Sequence, residues 1–402
     1  MDYFVDRALQ HLQALCNRAP DRSVGSAGNR AATTYFTRTL ESLGLHVTLG
    51  TFECNDWDTE GARLQGMGSP RAVYPSPYGR GGNIEAPLVV ASTLEELKTS
   101  QITGKILLLK GRIAAYPLTP KNYPFYNPEE HQNIYKALEA GNPAAIITAT
   151  PMNPPITGAL YPCPLFEDGD LEIPTVYMTA EDGEILSAQE GLGFQLIIKS
   201  RQLPSRGSNV CGQVGDIQGK TVLICAHIDT KKGSPGALDN ATGVATLLLT
   251  AELLADYTGP WNLEFVALNG EDYYSAPGQV LFLETFKDSL DKIKMAINLD
   301  GVALKNENQA FSFYGIPKEK EYQLRQFLSS QPDLKEGPSW MEGDHSIFIQ
   351  RNIPALAFTC TNAQSRLLCQ IAHTPEDTVD LADPSKIYEL AKSLAEMIRQ
   401  AL

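Results

Sequence analysis

The chain has 402 residues, more than the roughly 250 to 300 at which single hydrophobic cores stop growing, so we expect more than one domain. Its 43% hydrophobic and 20% charged residues are typical of a globular protein and exclude the disordered and fibrous classes. A formal charge of −14 repels polyanions, so we expect neither a nucleic-acid partner nor binding to an anionic membrane surface.

Cysteine spacing and the first residues of the chain bear on the cellular compartment. The seven cysteines are odd in number and include no CxxC pair, which argues against a disulfide framework or a cysteine-based zinc site. Residues 1–20 follow an amphipathic helix pattern and lack the basic start and apolar stretch of a signal peptide. No apolar run approaches the length of about 20 residues that a helix needs to span a membrane. We therefore expect a reduced, cytoplasmic protein.

The N-terminal segment predicts an α/β unit followed by an insertion. After the first helix, residues 28–45 place apolar side chains at helical spacing, and residues 46–54 alternate as a strand. From about Trp57 a run rich in Gly, Pro and Ser predicts a break in regular structure and a domain boundary. Residues 57–203 then contain short apolar strands and one amphipathic helix at residues 128–141. These features predict an inserted, smaller, β-rich α/β domain.

Strands and helices alternate from Ser208 to the end of the chain. Continuous apolar strands, such as residues 220–226 and 263–269, are separated by helical patterns. Buried strands that alternate with helices indicate a mixed, mainly parallel sheet with helices on both faces. Residues 1–56 and 204–402 are therefore predicted to form one larger α/β domain.

Acidic and histidine side chains follow the apolar strands of this domain, where ligands bind in open parallel sheets. They are His227 and Asp229 after the first strand, Glu271 and Asp272 after the second, Asp300 after the third, His373 beyond the last, and Asp239 ahead of a helix. Singly, such an Asp is usually an N-cap and such a His a structural residue. Together, two histidines and several carboxylates favour zinc or manganese over Cu(I) or an iron–sulfur cluster.

Five motifs in this part of the chain match a known family in both content and order. They are CAHIDT, GALDNATG, NGED, INLDG and IAHTPEDT, and the match extends to GDHSIFIQRNIPALAF and to GSAGNRAATTYFTRTLESLGL. The chain thereby resembles the two-zinc aminopeptidases related to bacterial leucyl aminopeptidase, whose relatives include glutamate carboxypeptidase and glutaminyl cyclase. The insert looks like a protease-associated domain. The resemblance implies a zinc-exopeptidase fold and hydrolysis of the N-terminal peptide bond of peptides.

The resemblance also implies which residues hold the metals. His227, Asp239 and Asp300 would bind one zinc ion. Asp239, Asp272 and His373 would bind the other, so that Asp239 bridges the pair. Many relatives have Glu at the position of Asp272, but the shorter carboxylate still suits zinc. The implied cofactor is two zinc ions per chain, with manganese or cobalt as substitutes.

Three further features of the centre follow from the same resemblance. Glu271 would be the general base, taking a proton from a metal-bridging water and passing it to the leaving amine, so that a metal-bridging hydroxide attacks the substrate. Asp229 would accept a hydrogen bond from the ring of His227 and orient it. The peptide bond between Asp239 and Asn240 is expected to be cis.

Residues outside the ligand set have less defined roles. Asp344 and His345 match a family position near the metals, where they would support the ligands or face the substrate. The alternative for this pair is a helix cap followed by a packed histidine. Many relatives have a carbonyl-polarising Tyr before the second His ligand, but residues 359–372 contain none. That role would be filled by Arg366, by Gln364 or by a residue from elsewhere.

Three alternatives to an aminopeptidase remain open. A carboxypeptidase or dipeptidase would use the same metals and capture a substrate carboxylate, for which Arg351 and Arg366 are basic candidates. A glutaminyl cyclase is less favoured, because that chemistry needs one zinc ion and both sites look complete. A non-catalytic scaffold predicts lost ligands, whereas all five are present together with the base. A peptide is therefore the expected partner, and the sequence leaves the oligomeric state open.

Overall fold

The computed structural model describes residues 2–66, 70–152, 161–361 and 371–402. The chain forms two compact units. The first unit comprises residues 1–54 and 206–402, and the inserted unit comprises residues 55–205. Among the described residues, no helix combines the length and the apolar character needed to cross a membrane.

Helices and strands follow one another along most of both units. The helices are α1 (Asp2–Cys16), α2 (Ala27–Ser42), α3 (Leu94–Thr99), α4 (Glu129–Gly141), α5 (Ala180–Ser187), α6 (Thr242–Leu253), α7 (Pro277–Phe286), α8 (Lys318–Ser329), α9 (His345–Ile349) and α10 (Pro384–Gln400). The strands are β1 (His46–Gln65), β2 (Tyr74–Pro75), β3 (Gly82–Ala91), β4 (Ile106–Leu109), β5 (Ala145–Thr150), β6 (Thr175–Thr179), β7 (Gly193–Gly215), β8 (Lys220–His227), β9 (Trp261–Leu268), β10 (Ile293–Leu299), β11 (Gln309–Tyr314), β12 (Leu334–Glu336) and β13 (Ala355–Cys360).

The first unit is built on a mixed sheet with the strand order β12-β11-β13-β10-β8-β9-β7, and β1 pairs with β7. β8 runs parallel to β9 and to β10, and β10 runs parallel to β13. β11 and β7 are antiparallel to their neighbours β13 and β9. Parallel strands at the centre of the sheet confirm the predicted mixed, mainly parallel architecture.

Helices cover both faces of this sheet, because its central strands are apolar on both sides. One face packs against α1, α6 and α10 in a core that includes the fully buried Leu12, Leu248 and Leu394. Val222 of β8 joins this core, whereas the next residue, Leu223, is fully buried outside it, since side chains alternate along a strand. Helices α7 and α9, whose buried side chains lie outside that core, contact β9, β10 and β13.

The inserted unit has a sheet with the strand order β7-β3-β4-β5-β6-β2. Strands β3 to β6 pair in parallel, and β7 and β2 pair antiparallel at the two ends. Leu107 and Ile146 belong to one hydrophobic core, together with Leu138 of α4, and Leu108 and Ile147 belong to another. The unit therefore has buried clusters on both sides of its sheet, and its assignment as a protease-associated domain stays a prediction.

Strands β1 and β7 contribute to both units and are longer than the sequence predicts. Side-chain alternation predicts a strand only to residue 54, whereas β1 continues to Gln65, so the break in regular structure predicted at Trp57 is wrong. Beyond residue 54 the side chains are mostly polar and partly exposed, so they give no alternating apolar signal. Pairing with β7 stabilises this part of the strand, and Thr59 Oγ1 donates to Lys199 O at 3.0 Å.

Candidate metal centre

Parallel pairing brings the ends of β8, β9 and β10 to one edge of the first unit's sheet. His227 is the last residue of β8 and lies beside Leu268, the last residue of β9. Asp300 directly follows β10, and Asp272 follows Leu268 by four residues. Because neighbouring parallel strands end at the same edge, these three polar side chains lie together.

The Asp239 carboxylate lies between two imidazole rings. Its Oδ1 atom is 3.0 Å from His227 Nε2, and its Oδ2 atom is 2.8 Å from His373 Nε2. Asp300 Oδ1 lies 3.5 Å from His227 Nε2, and Asp272 Oδ1 lies 3.0 Å from His373 Nε2. The five residues predicted as ligands therefore form two clusters that share Asp239.

Both clusters have the size and the donor chemistry of a zinc site. In each cluster, one donor atom from every residue lies within 4.8 Å of the others. Zinc–ligand bonds of about 2.0 to 2.2 Å place two donors of a tetrahedral ion about 3.3 Å apart. The four donor separations, 2.8 to 3.5 Å, bracket that value. Asp272 Oδ2 is also buried without a hydrogen-bond partner among the described residues, which suits an atom beside a cation.

Opposite charges dominate the electrostatics of the centre. Burial alone would lower the pKa of His227, but the Asp300 and Asp239 carboxylates outweigh burial and raise that pKa well above its usual value. Burial would also lower the pKa of His373, which Asp272 and Asp239 raise instead. Burial opposes ionisation of Asp239, but the two rings hold its pKa well below the usual value. The carboxylates therefore favour the protonated form of both rings when no cation is bound.

The segment that carries Asp239 is fixed to the end of β10. The Asp239–Asn240 peptide is cis, as predicted. The buried Asn240 side chain donates from Nδ2 to Leu299 O at 2.8 Å, and its Oδ1 accepts from Gly301 N at 3.4 Å. These bonds are made to the residues on either side of Asp300. One amide side chain therefore fixes the segments of Asp239 and Asp300 relative to each other.

Asp229 holds the turn that follows β9 rather than the ring of His227. Its Oδ1 atom lies 3.8 Å from His227 Nδ1, too far for a hydrogen bond, so the predicted bond is wrong. The buried carboxylate instead accepts the backbone N–H groups of Gly270 at 2.8 Å, Glu271 at 3.3 Å and Asp272 at 3.0 Å. Gly270 has a φ of 141°, which favours glycine and lets the three amides converge on one carboxylate.

Glu271 is half-buried beside the ligands. With His227 and Asp272 it forms a third group of donor atoms within 4.8 Å of one another. Burial raises the pKa of the Glu271 carboxyl well above its usual value; His227 opposes this shift, and Asp272 and Asp300 add to it. A carboxyl group with a raised pKa, held beside metal ligands, is suited to accepting and releasing a proton.

Asp344 and His345 belong to neither of the two clusters. Asp344 is buried, and its Oδ1 accepts a hydrogen bond from Gln279 Nε2 at 2.8 Å. Burial raises the pKa of Asp344 to about 7. His345 Nε2 lies 2.9 Å from Trp340 O, a carbonyl that can only accept, so this nitrogen carries the proton. Both side chains therefore hydrogen-bond to other groups of the protein. The turn before Asp344 passes close to Asp300, because a Cβ on residue 343 would lie 3.1 Å from Asp300 Oδ2.

Of the arginines proposed for substrate contacts, the structure describes Arg351. Arg366 and Gln364 fall within residues 362–370, outside the described residues. Arg351 is exposed, and its Nη1 donates to Ile347 O at 2.9 Å at the end of α9. The substrate-contact roles of these residues stay predictions.

The pattern of polar residues at strand ends does not predict two buried charged residues that bond to residues 235–239. The Asp377 carboxylate accepts the backbone N–H groups of Leu238 at 2.8 Å and Asp239 at 3.1 Å. Burial raises the pKa of Asp377 to about 6. Arg22 is fully buried and donates to four backbone carbonyl oxygens. Asp377 does fall within the motif IAHTPEDT, whereas Arg22 lies in the loop between α1 and α2 and follows no apolar strand.

Comparison with known proteins adds to these observations. Residues 209–398 match the family model described as Peptidase family M28. Leucine aminopeptidase 2 of Trichophyton tonsurans is 22% identical over 375 residues, which cover 86% of this chain and 70% of that protein. Carboxypeptidase Q of Xenopus laevis is 23% identical over 315 residues, 73% of this chain and 65% of that protein. BSAP, a zinc aminopeptidase from Bacillus subtilis, has a similar structure, with a TM-score of 0.75, 19% identity and coverage of 98% and 95% of the two chains.

The matched residues include the whole candidate centre. All five predicted ligands and Glu271 fall within residues 209–398, and the structural similarity confirms the mixed α/β fold over nearly the full chain. Residues 209–398 therefore match peptidase family M28, and the chain is a peptidase, a hydrolase of peptide bonds.

Proposed function

We propose that this peptidase removes the N-terminal residue of peptides at a centre of two zinc ions. The observation that carries the proposal is the Asp239 carboxylate, whose oxygens face His227 Nε2 at 3.0 Å and His373 Nε2 at 2.8 Å. Asp300 would complete the ligand set around His227, and Asp272 the set around His373. The description of BSAP as a zinc aminopeptidase supports this choice of metal and reaction. Manganese and cobalt fit the same donors.

The chain's own residues supply proton transfer and positioning. Bound zinc lowers the pKa of a water molecule and offsets negative charge that develops on oxygen. The Glu271 carboxylate takes a proton from the attacking water and returns it to the leaving amine. The turn of residues 270–272, hydrogen-bonded to Asp229, keeps this carboxylate beside His227 and Asp272.

The role of Glu271 is tested by the variant Glu271→Gln, which keeps the shape of the side chain and removes the proton acceptor. We expect kcat to fall about 10²- to 10⁴-fold, the usual contribution of a positioned acid–base group. The zinc content, measured by atomic emission, is expected to stay the same. The matched control is Glu376→Gln, an exposed glutamate three residues after His373, which is expected to keep wild-type turnover. Unchanged turnover in Glu271→Gln would contradict the mechanism.

A carboxypeptidase or dipeptidase acting at the same centre is the second candidate function. It is supported by the similarity to a protein described as Carboxypeptidase Q. One peptide in three forms separates the candidates: unmodified, acetylated at the N-terminus, and amidated at the C-terminus. An aminopeptidase cleaves the unmodified and amidated forms and leaves the acetylated form intact, as read by mass spectrometry. Cleavage of the acetylated form with loss of the C-terminal residue would replace the proposal with a carboxypeptidase. Cleavage of a free dipeptide assayed alongside, with all three forms left intact, would indicate a dipeptidase.

A further inference from the structure

The main chain that leads into Asp239 lies between two buried side chains of opposite charge. Residues 235–239 present carbonyl oxygens to the guanidinium group of Arg22 and amide groups to the carboxylate of Asp377. Both side chains are buried. Neither belongs to the clusters of donor atoms among the described residues.

Arg22 acts on the carbonyl side of the segment. Its bonds are to Pro235 O at 2.7 Å, Gly236 O at 2.8 Å, Leu15 O at 2.9 Å and Ile228 O at 3.0 Å. Burying a guanidinium group is costly unless its N–H groups are bonded, and these four carbonyls accept from four of its five N–H groups. Ile228 directly follows His227, so one side chain fixes both the main chain next to a ligand of one cluster and the start of the segment that leads into the shared Asp239.

Asp377 acts on the amide side of the same segment. Its Oδ1 accepts from Leu238 N at 2.8 Å, and its Oδ2 accepts from Asp239 N at 3.1 Å. Its own backbone carbonyl accepts from Ala237 N at 3.1 Å. Three consecutive N–H groups therefore point to one residue, which lies four positions after His373.

The two charges match the direction of the peptide dipoles. A cation lies at the carbonyl oxygens and an anion at the N–H groups, so each stabilises the orientation that the other imposes. Gly236 allows the close approach: its φ is 59°, and a Cβ there would lie 2.2 Å from Thr230 Cγ2 and 2.9 Å from Arg22 Nη2. Arg22 and Asp377 thus hold this segment on both sides without using a donor atom of either cluster.

We propose that Arg22 and Asp377 are positioning residues that hold the Asp239 carboxylate between the two histidines before metal binds, and that they thereby set the zinc affinity of the chain. We call this pair the backbone clamp. The proposal rests on the zinc centre of the proposed function. It concerns metal binding in the absence of substrate, so its outcome does not depend on which peptide bond is cut.

The test measures zinc affinity of the metal-free full-length chain by competition with a chromogenic chelator. Removing residues that support metal ligands typically weakens metal binding 10- to 100-fold, so we expect this loss for Arg22→Met and Asp377→Asn. Arg22→Lys keeps the charge but cannot bond all four carbonyls, and an intermediate loss is expected. The control is Leu394→Ala, a fully buried core residue of α10, which is expected to lower the Tm while keeping wild-type zinc affinity.

The outcomes separate the clamp from the function on which it rests. A folded Arg22→Met or Asp377→Asn protein with wild-type zinc affinity would overturn the clamp while leaving the zinc centre standing. If Arg22→Met does not fold, Asp377→Asn and Arg22→Lys decide in the same way. An equal loss of affinity in Leu394→Ala would also overturn it, because general destabilisation would then explain the effect. A wild-type chain that binds no zinc would overturn the proposed function, and the clamp with it.

Discussion

Replacing Asp229 by Asn tests whether the turn after β9 is fixed by a carboxylate. Asp229 Oδ1 accepts the N–H groups of Gly270 and Glu271, and Oδ2 accepts the N–H group of Asp272. Asparagine has the same shape but only one acceptor oxygen. If that oxygen takes the position of Oδ1, the new NH₂ group faces the N–H group of Asp272. If it takes the position of Oδ2, two N–H groups lose their acceptor, so the first arrangement is expected.

The loss is at least one hydrogen bond to a charged acceptor. Such a bond contributes about 1.5 to 3 kcal/mol, so the free energy of unfolding is expected to fall by about that amount. The bond lost is the one to Asp272 N, which is buried, so Asp272 is expected to move away from His373. A displacement of about 1 Å in a catalytic group typically costs about 100-fold in rate, and we expect a loss of this order in kcat/KM.

Urea unfolding of the metal-free protein and steady-state kinetics of the zinc-loaded protein measure the two effects. The matched control is Asp168→Asn in the inserted unit, where a buried carboxylate accepts Lys121 N at 2.7 Å and Asp170 N at 2.8 Å. That variant is expected to lose stability and to keep wild-type zinc affinity and turnover. The reasoning is refuted if Asp229→Asn matches the wild type in both stability and kcat/KM.

Two further predictions concern the metal itself. The raised pKa values of His227 and His373 keep both rings protonated to higher pH in the metal-free chain, so zinc must displace protons when it binds. The zinc affinity is therefore expected to weaken as pH falls, about tenfold per pH unit for each proton released. Calorimetry in buffers of different ionisation enthalpy counts those protons, and a pH-independent affinity would contradict the assignment of the two rings as ligands. Zinc at 100 times its Kd is expected to stabilise the fold by about 2.7 kcal/mol. Removing the metal with a chelator should therefore lower the Tm measured by calorimetry. An unchanged Tm would contradict a metal that binds only the folded chain.

The sequence locates the ligands because their positions follow from strand ends. His227, Asp272 and Asp300 each lie at or just beyond a parallel strand, and parallel strands end at a common edge. Asp239 lies in a loop ahead of α6, and its bridging role was implied only by the resemblance to the two-zinc family. The distances in the structure are consistent with that implication, with one oxygen of Asp239 near each histidine.

The residues that support the ligands are harder to predict, because their partners are backbone groups far away in the sequence. Arg22 bonds to carbonyls 206 and 214 positions later, and the Asp377 carboxylate bonds to amides 139 and 138 positions earlier. Every residue has such a carbonyl and nearly every residue such an amide, so these bonds leave no mark on the composition of the partner segment. The role predicted for Asp229 was wrong for the same reason, since its partners are the amides of a turn whose shape depends on Gly270.

The supporting bonds connect the ligand-bearing segments to one another. Asp229, which follows His227, fixes the turn that carries Asp272. Asn240, which follows Asp239, bonds to the residues on either side of Asp300. In turn, the segment after His373 supplies the Asp377 carboxylate that fixes the main chain of Asp239.

Three of the five ligand segments thus each help to position another, and none of these bonds uses a ligand side chain. Side chains that share a bonded network are coupled, so the effects of changing two of these supporting residues should not add. The double variant Asp229→Asn/Asp377→Asn is therefore expected to lose less zinc affinity than the product of the two single losses, because either change alone already loosens the arrangement of ligands. Strictly multiplicative losses would mean that the segments are positioned independently.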